Sequence, residues 1–145
     1  MRVLGIDFGD RHIGLAVSDE LGLTAQALES YHTKSEKEDK TYFKRLVEQY
    51  NIEKIVLGFP LRMDGTLGTR ALKTQDFAQW LEKTLKLPVI LWDERLTTKQ
   101  ALRILSQQKM KRKAKKGKKD QISAIIILSA YLESKRGKSH VAQNH

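Results

Sequence analysis

Two short apolar runs at the start of the chain, Val3–Phe8 and Ile13–Ser18, are joined only by Gly9-Asp10-Arg11-His12. A link this short, opened by glycine, leaves a β-hairpin as the natural way to connect two strands. In the second run Ile13, Leu15 and Val17 alternate with Gly14, Ala16 and Ser18, the period-two signature of a strand. A third strand is expected over Ala27–His32, so the fold begins with three antiparallel strands.

The pattern then changes period. Phe43, Leu46, Val47 and Tyr50 are spaced by three and four, which predicts a helix over Thr41–Tyr50. Lys54–Phe59 is a short β-branched run ended by Pro60, and reads as a buried strand. Thr69–Lys86 is amphipathic, with Phe77, Ala78, Leu81 and Leu85 on one stripe, and Pro88–Trp92 is another buried strand. Thr97-Thr98-Lys99-Gln100 has the capping-box pattern of a helix start, followed by Ala101, Leu102 and Leu105. The last helix is expected from Asp120 to Lys135. An antiparallel start followed by alternating elements predicts an α/β domain with a mixed five-stranded sheet flanked by helices. The domain is expected over residues 1–136, with a disordered tail at 137–145.

Charge narrows the class of partner. The net charge is +10, and eight of the basic residues lie in one eleven-residue stretch: Lys109, Lys111, Arg112, Lys113, Lys115, Lys116, Lys118 and Lys119. Without them the chain would stand at +2. Basicity concentrated in one segment, with Gly117 inside it, predicts a mobile loop that meets a polyanion. Nucleic acid is the expected partner. The longest late apolar run, Ala124–Leu128, is far too short to span a bilayer, so no membrane role is expected. Asp7 interrupts the apolar start, which therefore does not read as a secretory leader, and no cysteine is present. A cytoplasmic protein, monomeric or weakly dimeric, is the expectation.

Asp7 carries the most chemical information. It stands inside Leu4-Gly5-Ile6-Asp7-Phe8, where a buried carboxylate needs a metal, a charge partner or hydrogen bonds. Alternation puts Gly5, Asp7 and Gly9 on one face, and a turn at Asp10-Arg11 would set Gly14 opposite Asp7 and Ala16 opposite Gly5. The face would be bare around the carboxylate and open to a metal ion or a phosphate. A structural Asp, paired within the hairpin to Arg11, is the competing reading, and residue chemistry alone leaves the two even.

The other acids are weaker signals. Asp93-Glu94-Arg95 follows a buried strand, where α/β folds place their sites, but acids also favour helix starts. Asp120 alone reads best as an N-cap. Between Gly58 and Arg70 lies a turn-rich loop in which Arg62 and Arg70 are placed to meet phosphate. There is no Walker-type loop, nucleophile elbow or histidine cluster of metal-ligand spacing.

Three blocks together resemble the YqgF family, also called RuvX, of Holliday junction resolvase-like proteins. They are Gly5-Ile6-Asp7-Phe8-Gly9 with Ile13-Gly14-Leu15-Ala16 and Ser18-Asp19; Gly58-Phe59-Pro60-Leu61 with Met63-Asp64-Gly65-Thr66, Gly68 and Arg70-Ala71; and Asp93-Glu94-Arg95-Leu96-Thr97-Thr98 with Ala101. The match runs from Arg2 to about Leu132. The resemblance implies an RNase H-like fold and an acidic metal site formed by Asp7, Glu94 and Asp120. It implies a nuclease that processes the 5′ end of the 16S ribosomal RNA precursor. Oxygen ligands suit Mg²⁺ or Mn²⁺, and two such ions would serve an in-line phosphodiester cleavage. Arg62, Arg70, Arg95 and the basic segment would hold the nucleic acid. Branched DNA is the alternative substrate within that chemistry. A non-catalytic RNA-binding factor and an ATPase fragment are the readings from other classes.

Overall fold

The structure, a computed structural model, describes residues 1–96, 102–103, 106–107 and 119–143, with the backbone alone at 119–121 and 137–143. The expected helix start at Thr97–Gln100 and the basic residues from Lys109 to Lys118 lie outside the described residues.

Strands β1 (Arg2–Phe8), β2 (His12–Ser18) and β3 (Ala25–His32) come first, then helix α1 (Glu36–Tyr50), β4 (Ile52–Phe59), α2 (Thr69–Leu85) and β5 (Val89–Asp93). The final helix, α3, spans Lys119–Gln143. One five-stranded sheet has the order β3-β2-β1-β4-β5. β1–β2 and β2–β3 are antiparallel, whereas β1–β4 and β4–β5 are parallel. This is the mixed sheet the sequence predicts. The hairpin register is also the expected one: Asp7 pairs with Gly14 and Gly5 with Ala16. Gly9 N–H donates to the His12 carbonyl, so the chain reverses at Asp10-Arg11.

Alternation along the strands builds two cores. Leu4, Ile6, Ile13, Leu15, Ile55 and Leu57 pack against Phe43 and Leu46 of α1 and Ala78 and Leu81 of α2. On the opposite face Val3, Ala16 and Val56 meet Ala124, Ile127, Leu128 and Tyr131 of α3. Each large side chain removed from water here contributes about 1.5–3 kcal/mol, which holds a helix layer on each face. Gly5 is what lets α3 come down: a Cβ there would stand 2.7 Å from Leu128 Cβ and 3.3 Å from the Ala124 carbonyl oxygen.

Two helix boundaries differ from expectation. α1 begins five residues earlier than Thr41, at Glu36, capped by Ser35, whose Oγ accepts from Glu38 N–H at 3.1 Å. Ser35-Glu36-Lys37-Glu38 is itself a capping-box pattern, but its first turn is solvated and leaves no apolar periodicity to read. α3 stays helical past Lys135 and through Gly137 to Gln143, beyond the expected end of the domain at residue 136. One glycine costs a helix only about 1 kcal/mol and does not by itself stop it.

Candidate active site

β1, β4 and β5 run parallel, so their C-terminal ends share one edge of the sheet. Asp7 lies next to the end of β1, and Glu94 follows the last residue of β5. The Glu94 N–H donates to the Phe59 carbonyl at 3.2 Å, which ties the end of β5 to the end of β4. Gly58 is the seat of the Glu94 side chain. A Cβ on Gly58 would lie 3.2 Å from Glu94 Cδ and 2.5 Å from Ile127 Cδ1. The carboxyl group therefore turns inward over a bare position of the sheet, although the residue as a whole keeps an exposed edge.

Electrostatics joins the two acids. The Glu94 carboxyl is pushed above its ordinary range, first by burial and next by the negative charge of Asp7, with a smaller push from Asp93. The Arg70 guanidinium pulls in the opposite direction. Arg70 sits in the first turn of α2 and its Nη2 donates to the Phe8 carbonyl at 3.4 Å, so it reaches across to the residue after Asp7. The charge of Asp7 thus raises the cost of charging Glu94, and the Arg70 guanidinium offsets part of it.

α3 runs against the parallel strands. Tyr131 accepts a 3.4 Å hydrogen bond from Lys54 Nζ near the start of β4, while Ile127 covers Gly58 near its end. The first turn of α3, with Asp120 as its second residue, therefore points toward the strand ends that carry the two acids. The Asp120 side chain lies outside the described residues. Among the described residues no group of three or more His, Cys, Asp or Glu is placed to cage a metal.

The neighbouring acids and arginines make local contacts that shape the loops beside the site. Asp93 accepts from Arg95 Nη2 at 2.7 Å, from Nε at 3.0 Å and from the Arg95 backbone N–H at 2.9 Å. These hydrogen bonds hold the Asp93 carboxyl below its ordinary range. Arg95, expected to meet nucleic acid, has its charge matched by Asp93. It also lies over Gly65, 3.5 Å from where a Cβ would be, and Gly65 has φ of 86°. In the β4–α2 loop the Arg62 N–H donates to the Thr66 carbonyl and Gly65 N–H to the Arg62 carbonyl. Arg62 Nε lies over Gly68, at 3.0 Å from a Cβ placed there. Asp64 accepts from Thr66 N–H and Oγ1, which lowers its pKa. Arg62, Arg70 and Arg95 are thus gathered on the elements that border the acids.

Two supporting residues have roles that the sequence reading did not assign. Gly58 seats Glu94, and its signal was the same as that of Gly5, a glycine interrupting an apolar strand. Buried Ser18 accepts from Val3 N–H at 2.9 Å and donates to the Asp19 carbonyl at 3.0 Å, which locks the far end of the hairpin.

Comparison with known proteins gives the family and the fold. A family model described as RuvX, Holliday junction resolvase, matches residues 1–134. A relative from Halothermothrix orenii, named "Putative pre-16S rRNA nuclease", is 48% identical over 132 residues, covering 91% of this chain and 94% of the relative. A relative of the same name from a Geobacillus strain is 45% identical over 138 residues, covering 94% of this chain and 100% of the relative. Among solved structures, Thermus thermophilus RuvC in complex with a Holliday junction superposes with a TM-score of 0.63 at 19% identity, covering 94% of this chain and 97% of RuvC. The fowlpox virus resolvase with its junction DNA gives a TM-score of 0.58 at 14% identity, over 92% of this chain and 98% of that one. At these identities the structural likeness establishes the fold, which is the RuvC-type RNase H-like one.

Proposed function

Since the chain belongs to the RuvX family of resolvase-like nucleases, we propose that it is a phosphodiester hydrolase that processes the 5′ end of the 16S ribosomal RNA precursor. The observation that carries the reading is the placement of Asp7 and Glu94 at the adjoining C-terminal ends of the parallel strands, with the Glu94 carboxyl seated over Gly58. Nuclease chemistry needs such a place, since it must gather positive charge against a phosphate. The curated relatives, matched along most of their length, carry the substrate assignment.

The donor set fits a divalent cation. Both described acids offer oxygen only, and the negative charge of Asp7 raises the cost of charging Glu94, a cost that a bound cation would relieve. Asp7, Glu94 and Asp120 would hold Mg²⁺ or Mn²⁺. When bound, such ions lower the pKa of a water and stabilise the leaving oxygen. The water oxygen forms the new bond to phosphorus as the bond to the leaving oxygen breaks, and that oxygen ends with a proton. Arg70, already beside Glu94, balances the charge of the scissile phosphate, and Arg62 orients the next one. Arg95, hydrogen-bonded to Asp93 and lying over Gly65, would present its outer edge to the nucleic acid beside them. The segment from Lys109 to Lys119 leads into α3 next to Asp120, and there it would grip the nucleic-acid backbone. A cytoplasmic protein acting as a monomer or weak homodimer fits this role. Among the described residues no helix is long and apolar enough to cross a membrane.

The family's description as a Holliday junction resolvase favours one second reading, cleavage of branched DNA. Incubating the protein with precursor ribosomal RNA and a four-way DNA junction side by side, with Mg²⁺ or Mn²⁺, separates the two. The proposal expects RNA cleavage at the 5′ side of the mature 16S end that disappears in Asp7→Asn. Junction cleavage with intact RNA moves the substrate to DNA. Binding of either without cleavage leaves an RNA- or DNA-binding factor.

A further inference from the structure

We infer that His12 and His32 form a second cation site, a two-imidazole clamp for a borderline divalent metal of the Zn²⁺, Ni²⁺ and Cu²⁺ group. It does not depend on the nuclease reading. His12 opens β2 and His32 closes β3, and the two are direct cross-strand partners. Cross-strand partners project to the same face, with Cβ atoms about 4.5–5.5 Å apart. The rings are 4.0 Å apart between centroids and inclined at 58°. Both residues are exposed, so a hydrated ion reaches them without opening the core.

The ring separation fits a shared ion when one nitrogen of each ring turns toward it. A metal–nitrogen bond of about 2.0–2.1 Å places the ion roughly 3.2 Å from each ring centre. Rings 4.0 Å apart then subtend about 80° at the ion. Parting the rings by about 0.5–1 Å brings that angle to the range from square or octahedral to tetrahedral coordination, a movement within the freedom of exposed side chains. Two imidazoles with water in the remaining positions select Zn²⁺, Ni²⁺ or Cu²⁺, whereas the oxygen donors of Asp7 and Glu94 favour Mg²⁺ and Mn²⁺. The two sites therefore differ in chemistry.

The position also gives bound metal something to stabilise. The β2–β3 ladder changes register between Ile13 and Leu15, one residue inside the His pair. Beyond the pair, a 3.4 Å hydrogen bond runs from Thr33 N–H to the Arg11 carbonyl across the ladder's open end. An ion on both rings would clamp that end across the irregularity. His12 lies on the sheet face of Gly14 and Asp7, two residues along β2 from Gly14.

The test uses the full chain. Its other two histidines, His140 and His145, remain in place as an internal control. Calorimetric titration and thermal melts are run with Ni²⁺, Zn²⁺ and Mg²⁺ on the wild type, His12→Asn, His32→Asn, Asp7→Asn and His140→Asn/His145→Asn. The inference expects Ni²⁺ and Zn²⁺ to bind and raise the melting temperature. Affinity should fall at least tenfold in either single His12 or His32 variant, and stay within about twofold in the other two. No Ni²⁺ or Zn²⁺ binding would overturn it and leave the pair as a cross-strand ring contact. So would binding that survives both single variants, or that vanishes only with His140 and His145.

Discussion

Gly58→Ala tests whether the bare position under Glu94 is what seats its carboxyl. The new Cβ would stand 2.5 Å from Ile127 Cδ1, 3.2 Å from Ile127 Cγ1 and 3.2 Å from Glu94 Cδ. Carbon–carbon contacts are comfortable at about 3.5–4.0 Å, so Glu94 must retreat by roughly 0.5 Å and the buried Ile127 tip by more than 1 Å. Crowding of this kind costs about 1–3 kcal/mol, against which replacing a strand glycine returns about 0.5–1 kcal/mol. The net is a loss of roughly 1–2 kcal/mol, a fall of several degrees in melting temperature for a chain of this size. A 1 Å misplacement near a reacting centre costs about a hundredfold in rate, so half of that should cost about tenfold. Gly5→Ala is the matched control. Its Cβ would strike Leu128 Cβ at 2.7 Å, loosening α3 without touching Glu94. Melts and cleavage rates of the 16S precursor, measured well below both transitions, separate the effects. Both variants should melt earlier, and Gly58→Ala should lose more activity than its stability explains. Full activity in folded Gly58→Ala would refute the assignment of Glu94 to the site.

Glu94→Gln should stabilise the metal-free protein at neutral pH. The folded-state pKa of Glu94 is raised above its ordinary 4.5, so the wild type loses stability as pH rises from there through the raised value. The Gln variant lacks that loss, and melts from pH 4 to 8 in EDTA should show the two curves diverging upward in pH. Tyr31→Phe removes the 2.6 Å hydrogen bond from the buried Tyr31 hydroxyl to Asp39. Asp39 keeps the Lys34 N–H, so a urea titration should show a loss near the lower end, about 1.5 kcal/mol, of the range for bonds to charged groups. Replacing Lys115, Lys116, Lys118 and Lys119 with Gln should flatten the log–log salt dependence of RNA binding by up to roughly 3 units, about 0.7 for each phosphate no longer neutralised. An unchanged slope would place the RNA elsewhere.

The architecture was legible because its signals are periodic and local. Alternation along Ile13–Ser18, the short Gly9–His12 link and the apolar run ending at Phe59 each fixed an element and its inward face, and the Asp7–Gly14 pairing followed from them. The start of α1 was not legible from periodicity because Glu36–Lys40 is a solvated first turn with nothing to bury. Chemistry was legible in part. Asp7 stood out because a carboxylate in an apolar strand is costly. Glu94 was ambiguous, since only its tertiary packing over Gly58 and the field of Asp7 separate it from an ordinary helix-start acid. The pairing of Arg95 with Asp93, two residues away, was within reach of the sequence, yet adjacency alone does not say whether an arginine turns to its neighbour or to solvent. The meeting of His12 and His32 depends on β3 register, which weak alternation in Ala25–His32 left open.

The central claim is that Asp7 and Glu94 form one cation-binding catalytic site, and a metal titration of stability tests it most directly. Melting temperatures are recorded in EDTA and in rising Mg²⁺ or Mn²⁺ for the wild type and Asp7→Asn. Relief of carboxylate repulsion should make Asp7→Asn the more stable of the two without metal. Metal bound only by the folded state should raise the wild-type value progressively and leave Asp7→Asn nearly unmoved. Equal melting of the wild type in EDTA and in metal, or an equal rise in both proteins, would contradict the account.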